Sequence, residues 1–283
     1  MSESKVKVSI IGAGGKMGTR VRRNLLNHTD RLELYLVENN PKSVELMQRE
    51  GLEAAALDES VKKSDVIVLA VPDRLIKEVS QAVVPGMKAG AALIILDPAS
   101  AVAGELAMKD GCTFAVTHPC HPSYFLDQDT PEARSDYFGG MGGRQDIVMA
   151  LIKGHADRFE TAVTISKMMF EPVENCYVMG LRDIAFLEPT LVELLGATCL
   201  KAMAETVDEA ERRGIPREAA ASFLTGHIYN LSANFLGYLG NTKVSDACQK
   251  AMELGKCYVL RDDWKKIWDD EILENTIDTM LHS

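Results

Sequence analysis

The chain has 283 residues, of which 46% are hydrophobic and 25% charged, and its formal net charge is -10. This length accommodates two domains, and the composition excludes a fibrous or disordered chain. The negative charge, with no Lys/Arg run, excludes a nucleic-acid partner. No uninterrupted apolar run reaches about 18 residues, so no membrane span is expected. The six cysteines form no CxxC pair and the segment MSESKVKVSI lacks a signal-peptide core, so a reduced, cytoplasmic protein is expected.

Strand and helix patterns alternate through the first 180 residues. KVKVSII predicts a strand, and KMGTRVRRNLLNH a helix with Val21, Leu25 and Leu26 on one side. LELYLVE, DVIVLAVP and AALIILDP come next as strands, with KSVELMQREG and RLIKEVSQAV as helices between them. CTFAVTHP, QDIVMALIKG and EPVENCYVMG complete the series as three more strands. Strands alternating with helices predict an α/β, doubly wound, mostly parallel Rossmann sheet over residues 1–180. From Leu181 the strand signals stop, so 181–283 is expected to be an all-helical substrate and dimerisation domain. Its first helix runs from Arg182 to the stop at Gly214, with Pro189 either kinking it or lying in its first turn. A second helix begins near Pro216, and SDACQKAMELGKCYVL and DDWKKIWDDEILENTIDTMLH give two more. A helix of about 30 residues spans ~45 Å, more than a domain this small needs. Its apolar face is therefore expected to meet a second copy in a homodimer, with His227 or Asn230 of the second helix reaching the partner's crevice.

The segment IIGAGGKMG joins the first strand to the first helix. Gly12 permits the tight turn, Gly14 or Gly15 removes the Cβ that would block a pyrophosphate, and Gly18 lets helix and strand pack closely. Together with Lys16 and Met17 of the helix's first turn, they predict a dinucleotide phosphate site on a positive helix end. Glu38 ends the next strand, 20 residues after Gly18, where a carboxylate accepts from an adenosine ribose diol and repels a 2′-phosphate. NAD is therefore expected over NADP, with Lys16 and Arg20 as the residues that would tolerate the extra phosphate.

Ligands of such sheets bind beyond the carboxyl ends of the strands. Here those ends read AVPD, LDPAS and THPCHPSYF, so Asp73, Ser100 and His118 are expected to face one crevice, with Asp73 under the nicotinamide ribose. His118 and His121 flank Cys120 where a nicotinamide would end. An imidazole there can take a hydroxyl proton as hydride leaves, or hold a metal. The next loop, PSYFLDQDTPEARSDYFGGMGGRQ, has the length and glycines of a lid over substrate.

With these motifs on its strand ends and a long helical tail, the chain resembles the 6-phosphogluconate dehydrogenase-like superfamily, which includes ketol-acid reductoisomerases and prephenate dehydrogenases. Within it, the closer resemblance is to ketol-acid-reductoisomerase-like oxidoisomerases of branched sugar acids. The resemblance implies oxidation of a substrate hydroxyl by NAD, coupled to migration of a carboxylate-bearing carbon. It also implies a divalent metal on carboxylates of a D-L-x-x-E motif in the first helix after the sheet. In RDIAFLEPTL, Glu188 matches the motif's glutamate, but Ile184 stands where aspartate is required and Asp183 is one step out of register. Positions five apart lie ~140° apart on a helix, which argues against Asp183 and Glu188 sharing an ion. A mixed site of Glu188 with His118 or His121 suits Zn²⁺, Mn²⁺ or Fe²⁺ better than Mg²⁺. Two other readings stay open: a prephenate-type dehydrogenase without metal, using Arg134, Arg144 or Arg182 for substrate carboxylates, and a non-catalytic NAD sensor.

Overall fold

A computed structural model describes residues 4–282. Seven strands form one sheet: β1 Val6–Ile11, β2 Leu32–Val37, β3 Val66–Leu69, β4 Ala92–Ile95, β5 Thr113–Pro119, β6 Gln145–Lys153 and β7 Val173–Val178. Their spatial order is β2-β1-β3-β4-β5-β6-β7. The β1–β2, β1–β3, β3–β4 and β4–β5 ladders are parallel. The β5–β6 ladder is antiparallel and β6–β7 parallel again, so the last two strands run against the first five. Every residue of β3 and β4 is buried, as a parallel strand covered on both faces requires. Edge strand β7 is largely exposed.

The helices between strands are α1 Lys16–Leu26, α2 Pro41–Arg49, α3 Leu57–Lys63, α4 Asp73–Val83, α5 Ala99–Val102, α6 Pro131–Arg134 and α7 Ala156–Met169. After β7, α8 (Leu181–Ala185) precedes a π-helix over Phe186–Ala197. Then come α9 Thr198–Arg212, α10 Arg217–Phe235, α11 Asp246–Val259 and α12 Asp270–His282. Instead of the single α-helix expected from Arg182 to Gly214, the pattern changes around the internal Pro189. Proline has no N–H, and its ring crowds the carbonyl of the turn before it, so regular i→i+4 bonding cannot continue there.

The chain divides into two units, Met1–Ala185 with Glu274–Ser283, and Phe186–Leu273. The boundary therefore falls within the last helix. In the sheet unit the core is built from β-strand residues such as Val8, Ile10, Val68 and Ile94 with Val21 and Leu25 of α1 and Ile165 and Met169 of α7. The helical unit buries little: one residue of α9 (Val207), one of α10 (Ala233) and none of α11. No helix of the described residues is long and apolar enough to cross a membrane, and the six cysteines carry free thiols.

The β5–β6 connection, expected as a lid on a glycine hinge, is held along its length. Asp136 is 2% exposed and accepts from the backbone N–H groups of Gly139 (2.8 Å), Met141 (2.7 Å) and Gly143 (3.0 Å). Gln128 exchanges two bonds with the Arg144 backbone, donating at 2.9 Å and accepting at 2.7 Å. The glycines serve packing here: a Cβ on Gly139 would lie 2.2 Å from Arg20 Nη2.

Candidate active site

The phosphate turn is built from close approaches. Gly12 has φ +83°, and a Cβ on it would meet the Ala70 carbonyl oxygen at 2.6 Å, at the end of β3. A Cβ on Gly18 would lie 1.9 Å from the Gly12 oxygen, so only glycine lets α1 start against the end of β1. No side chain caps α1 at Gly15, and its first turn carries no acidic residue. This helix end is suited to an anion supplied from outside the chain. Lys16 is exposed and Met17 half-buried on that first turn.

Glu38 comes directly after β2. Its Oε2 accepts from Gly14 N at 2.9 Å, and its Oε1 from Asn39 N and Asn40 N, each at 2.9 Å. Three backbone donors hold the carboxylate beside the phosphate turn; Oε1 already accepts two of these bonds, and Oε2, which accepts one, keeps a lone pair for a ribose hydroxyl. Asp73, half-buried, opens α4 beyond the end of β3. Ser100 lies in α5 with its side chain fully buried.

His118 lies in β5 itself, one residue before its end. Its Nδ1 is 2.8 Å from the Leu96 carbonyl oxygen, so Nδ1 carries the proton and Nε2 is the basic nitrogen. Burial pushes its pKa below the ordinary value, against the opposing pull of the Leu96 carbonyl and of Asp97. Asp97, 5% exposed, offers a carboxylate oxygen within 4.8 Å of a His118 ring nitrogen, while its Oδ1 accepts from Ala99 N at 2.7 Å. Within LDPAS it is thus the acidic residue at the strand end that reaches the histidine, and its carboxylate is a stronger signal for the site than the Ser100 hydroxyl.

His121 stands at the start of the β5–β6 connection with φ +62°, a left-handed conformation uncommon for a non-glycine residue. Its Nδ1 is 2.8 Å from the Phe138 carbonyl oxygen. The two imidazoles lie edge to face, 6.3 Å apart. Burial lowers the His121 pKa, and Arg20 and Lys16 lower it further. Between the two histidines, desolvation and then Asp146 push the Cys120 thiol up to about 11, which disfavours the thiolate.

Asp183 caps the start of α8, its Oδ2 accepting from Gly180 N at 2.9 Å. Glu188 lies half-buried in the π-helix, one residue before Pro189. Two of the three arginines suited by charge to a substrate carboxylate are paired within the chain, Arg144 with Asp129 at 2.8 Å and Arg182 with Glu274 at 3.5 Å. Arg134 is exposed on α6.

Known proteins carry the same architecture. Residues 3–126 match the family described as acetohydroxy acid isomeroreductase, NADPH-binding domain, and residues 126–281 match phosphogluconate dehydrogenase (decarboxylating) C-term. The chain is 62% identical over 279 residues to a D-apionate oxidoisomerase of Blautia hydrogenotrophica, covering 98% of this chain and 97% of the relative. It is 39% identical to a D-apionate oxidoisomerase of Cupriavidus necator, covering 96% and 98%. It also resembles the crystal structure of a semialdehyde dehydrogenase NAD-binding protein from Cupriavidus necator in complex with calcium and NAD. There the TM-score is 0.93 and the identity 38%, over 98% of this chain and 100% of the other.

The neutral histidines have a measurable consequence. Both are depressed below their ordinary value of ~6.5, so below neutrality the unfolded chain binds more protons than the folded one. Stability should therefore fall as pH drops from 7 through about 6.5 towards 5.5. His282, raised chiefly by Asp278 and Glu105 against desolvation, works in the opposite direction. Urea midpoints across this range should slope less in a His118→Gln/His121→Gln variant than in the native protein. Equal slopes would show that neither imidazole is held neutral.

Proposed function

We propose that this chain, which belongs to the D-apionate oxidoisomerase family, is an NAD-dependent enzyme. It oxidises a hydroxyl of D-apionate and couples the oxidation to rearrangement into 3-oxo-isoapionate. The observation that carries this reading is His118: a neutral imidazole with its proton fixed on Nδ1, beside Asp97 and His121, at a strand end of the sheet that carries the phosphate turn. A sensor would need no such base.

The bare helix end at Gly15 and the glycine turn fit the pyrophosphate of NAD, with Lys16 adding charge there. Glu38 fits the adenosine ribose diol and Asp73 the nicotinamide ribose. NAD, when bound, accepts the hydride. His118 Nε2 takes the hydroxyl proton as the hydride departs. The hydroxyl beside the carboxylate is secondary and its neighbouring carbon is a tertiary carbinol. Oxidation leaves a ketone next to that carbinol, and the group that moves must leave the carbinol carbon. It is therefore a hydroxymethyl arm, moving with its bonding pair, and the carboxylate-bearing carbon, which the resemblance led us to expect as the migrating group, receives it. The carbinol proton goes to a base and the former ketone oxygen gains one. His121 is the second group close to His118 that can carry protons in this exchange.

In the metal-assisted form of this reading His118 Nε2 would ligate a divalent metal together with Asp97 instead of taking the proton, and Glu188 is proposed as its further ligand on the strength of the family motif. Such a metal would polarise adjacent hydroxyl and carbonyl oxygens. The Cupriavidus necator structure holds calcium and NAD, which supports a metal in this reading. Histidine among the ligands favours Zn²⁺, Mn²⁺ or Fe²⁺ over calcium, which takes oxygen donors. The free thiols support a reducing, cytoplasmic setting.

The helical unit supports a homodimer. Phe223 (71% exposed), Leu236 (69%) and Tyr258 (83%) are among many large apolar side chains left uncovered on it. Helices that bury so little gain too little to offset their ordering, and a second copy presenting the same faces would cover them. His227 and Asn230 lie exposed on α10, on the surface such a partner would meet.

The native protein should reduce NAD in the presence of D-apionate, as read by NADH absorbance, and His118→Ala should lower the rate on the order of 10²–10⁴-fold with NAD affinity nearly intact. A chelator should abolish turnover if the metal reading holds, and leave it untouched if His118 acts as a base alone. Glu38→Ala should narrow the preference for NAD over NADP, since repulsion of the 2′-phosphate is removed; a native protein that binds NADP more tightly would sink the assignment of Glu38. Light scattering should give about twice the 31.0 kDa chain mass, and a stable monomer would refute the dimer.

A further inference from the structure

Arg20 is a costly residue in its place. It lies on α1, is 4% exposed, and burial lowers its pKa to about 10 in spite of Asp136. Its Nη2 donates to Gln145 Oε1, but no described residue accepts from its buried Nε or Nη1. A buried cation with unanswered donors destabilises a fold. A methionine of similar length would fill the same space without that penalty. The guanidinium therefore does something an apolar side chain would not.

Its surroundings show what. The guanidinium carbon lies 5.0 Å from the Phe138 ring centre and 5.2 Å from that of Phe170. Gly139 and Gly140 leave no room for a Cβ against it, at 2.2 and 2.9 Å from its atoms. Gln145, fully buried, passes the hold on by donating to the Phe170 carbonyl at 2.7 Å. Phe138 is thus gripped through its ring by Arg20, and by Lys16, whose Nζ stands 3.9 Å from the same ring centre. The carbonyl of Phe138 is the acceptor that fixes His121 Nδ1–H, on a backbone already in a left-handed conformation.

We infer that Arg20 is a positioning residue: it clamps Phe138 so that its carbonyl holds the His121 imidazole in one orientation, with Nε2 turned to the reacting groups. The inference rests on the reading of His118 and His121 as the working pair. It differs from a general packing role because the clamp acts through a backbone carbonyl that selects a tautomer.

The test uses the full-length protein labelled with ¹⁵N-histidine, with His121 signals assigned by their loss in His121→Gln. In the native protein the His121 ring should be protonated at Nδ1. In Arg20→Met it should become a mixture of tautomers. With D-apionate, kcat should fall on the order of tenfold to a hundredfold and the KM for NAD should stay within about twofold. Retention of the Nδ1–H tautomer in Arg20→Met would overturn the inference, whether kcat falls or not. If Arg20→Met does not fold, Phe138→Leu decides: it keeps the carbonyl and removes the clamped ring, so it should show the same tautomer mixing and loss of kcat. An unchanged tautomer there overturns the inference equally. A native protein inactive on D-apionate would instead sink the functional reading, while the tautomer comparison would still decide the role of Arg20.

Discussion

The carbonyl oxygen of Gly12 occupies the space that a Cβ on Gly18 would need, and the nucleotide end of the sheet depends on this one approach. It sets the first turn of α1 directly against the end of β1, so that the helix's bare N–H groups and partial positive charge lie at the carboxyl edge of the sheet. The Ala70 carbonyl presses on Gly12 from β3 in the same way. Glu38 is then drawn to the turn from β2 through Gly14 N. Three neighbouring strands therefore converge on one glycine turn, the place proposed for the dinucleotide.

The chemistry proposed for the other strand ends depends on keeping imidazoles neutral. Burial does most of this, and cations nearby add to it. The carbonyls of Leu96 and Phe138 oppose the effect, yet they perform a second task, which is to fix the proton on Nδ1 of each ring. A neutral imidazole with a known tautomer is useful both as a base and as a metal ligand, so one arrangement serves either route. The Asp97 charge, like the Leu96 carbonyl, works against burial and raises the His118 pKa. The β5–β6 connection matters here as scaffold: Asp136 ties its glycines down, and the ordered backbone brings Phe138 to His121.

The helical unit obeys a different logic. Its helices satisfy their own backbone hydrogen bonds but bury few side chains, so helix propensity and backbone bonding alone would have to hold them. The π-helix containing Pro189 places Glu188 on a segment whose bonding is already irregular. Such wide turns recur at functional positions, because the altered spacing re-aims a side chain that a regular helix would direct elsewhere.

The phosphate turn, the acidic residue after β2, the histidine pair and the change from sheet to helices are all legible in the linear chain. Each is written in neighbouring residues: glycine where no Cβ fits, unbroken apolar runs where a strand is covered on both faces, proline where a strand must stop. The remainder needed the folded molecule. The reversal of β6 follows from a connection that re-enters the sheet at the end where β5 finishes, with Ile147 opposite Pro119, and no residue pattern of β6 records it. The tautomers of His118 and His121 are set by carbonyls 22 and 17 residues away in the chain. Arg20 has the pattern of a surface cation on an amphipathic helix, yet Gln145, 125 residues on, and two glycines of a distant loop close over it. Local pattern records the conformation of a segment; the charge state and orientation of a buried group depend on what the fold brings around it, and those partners are not neighbours in the chain.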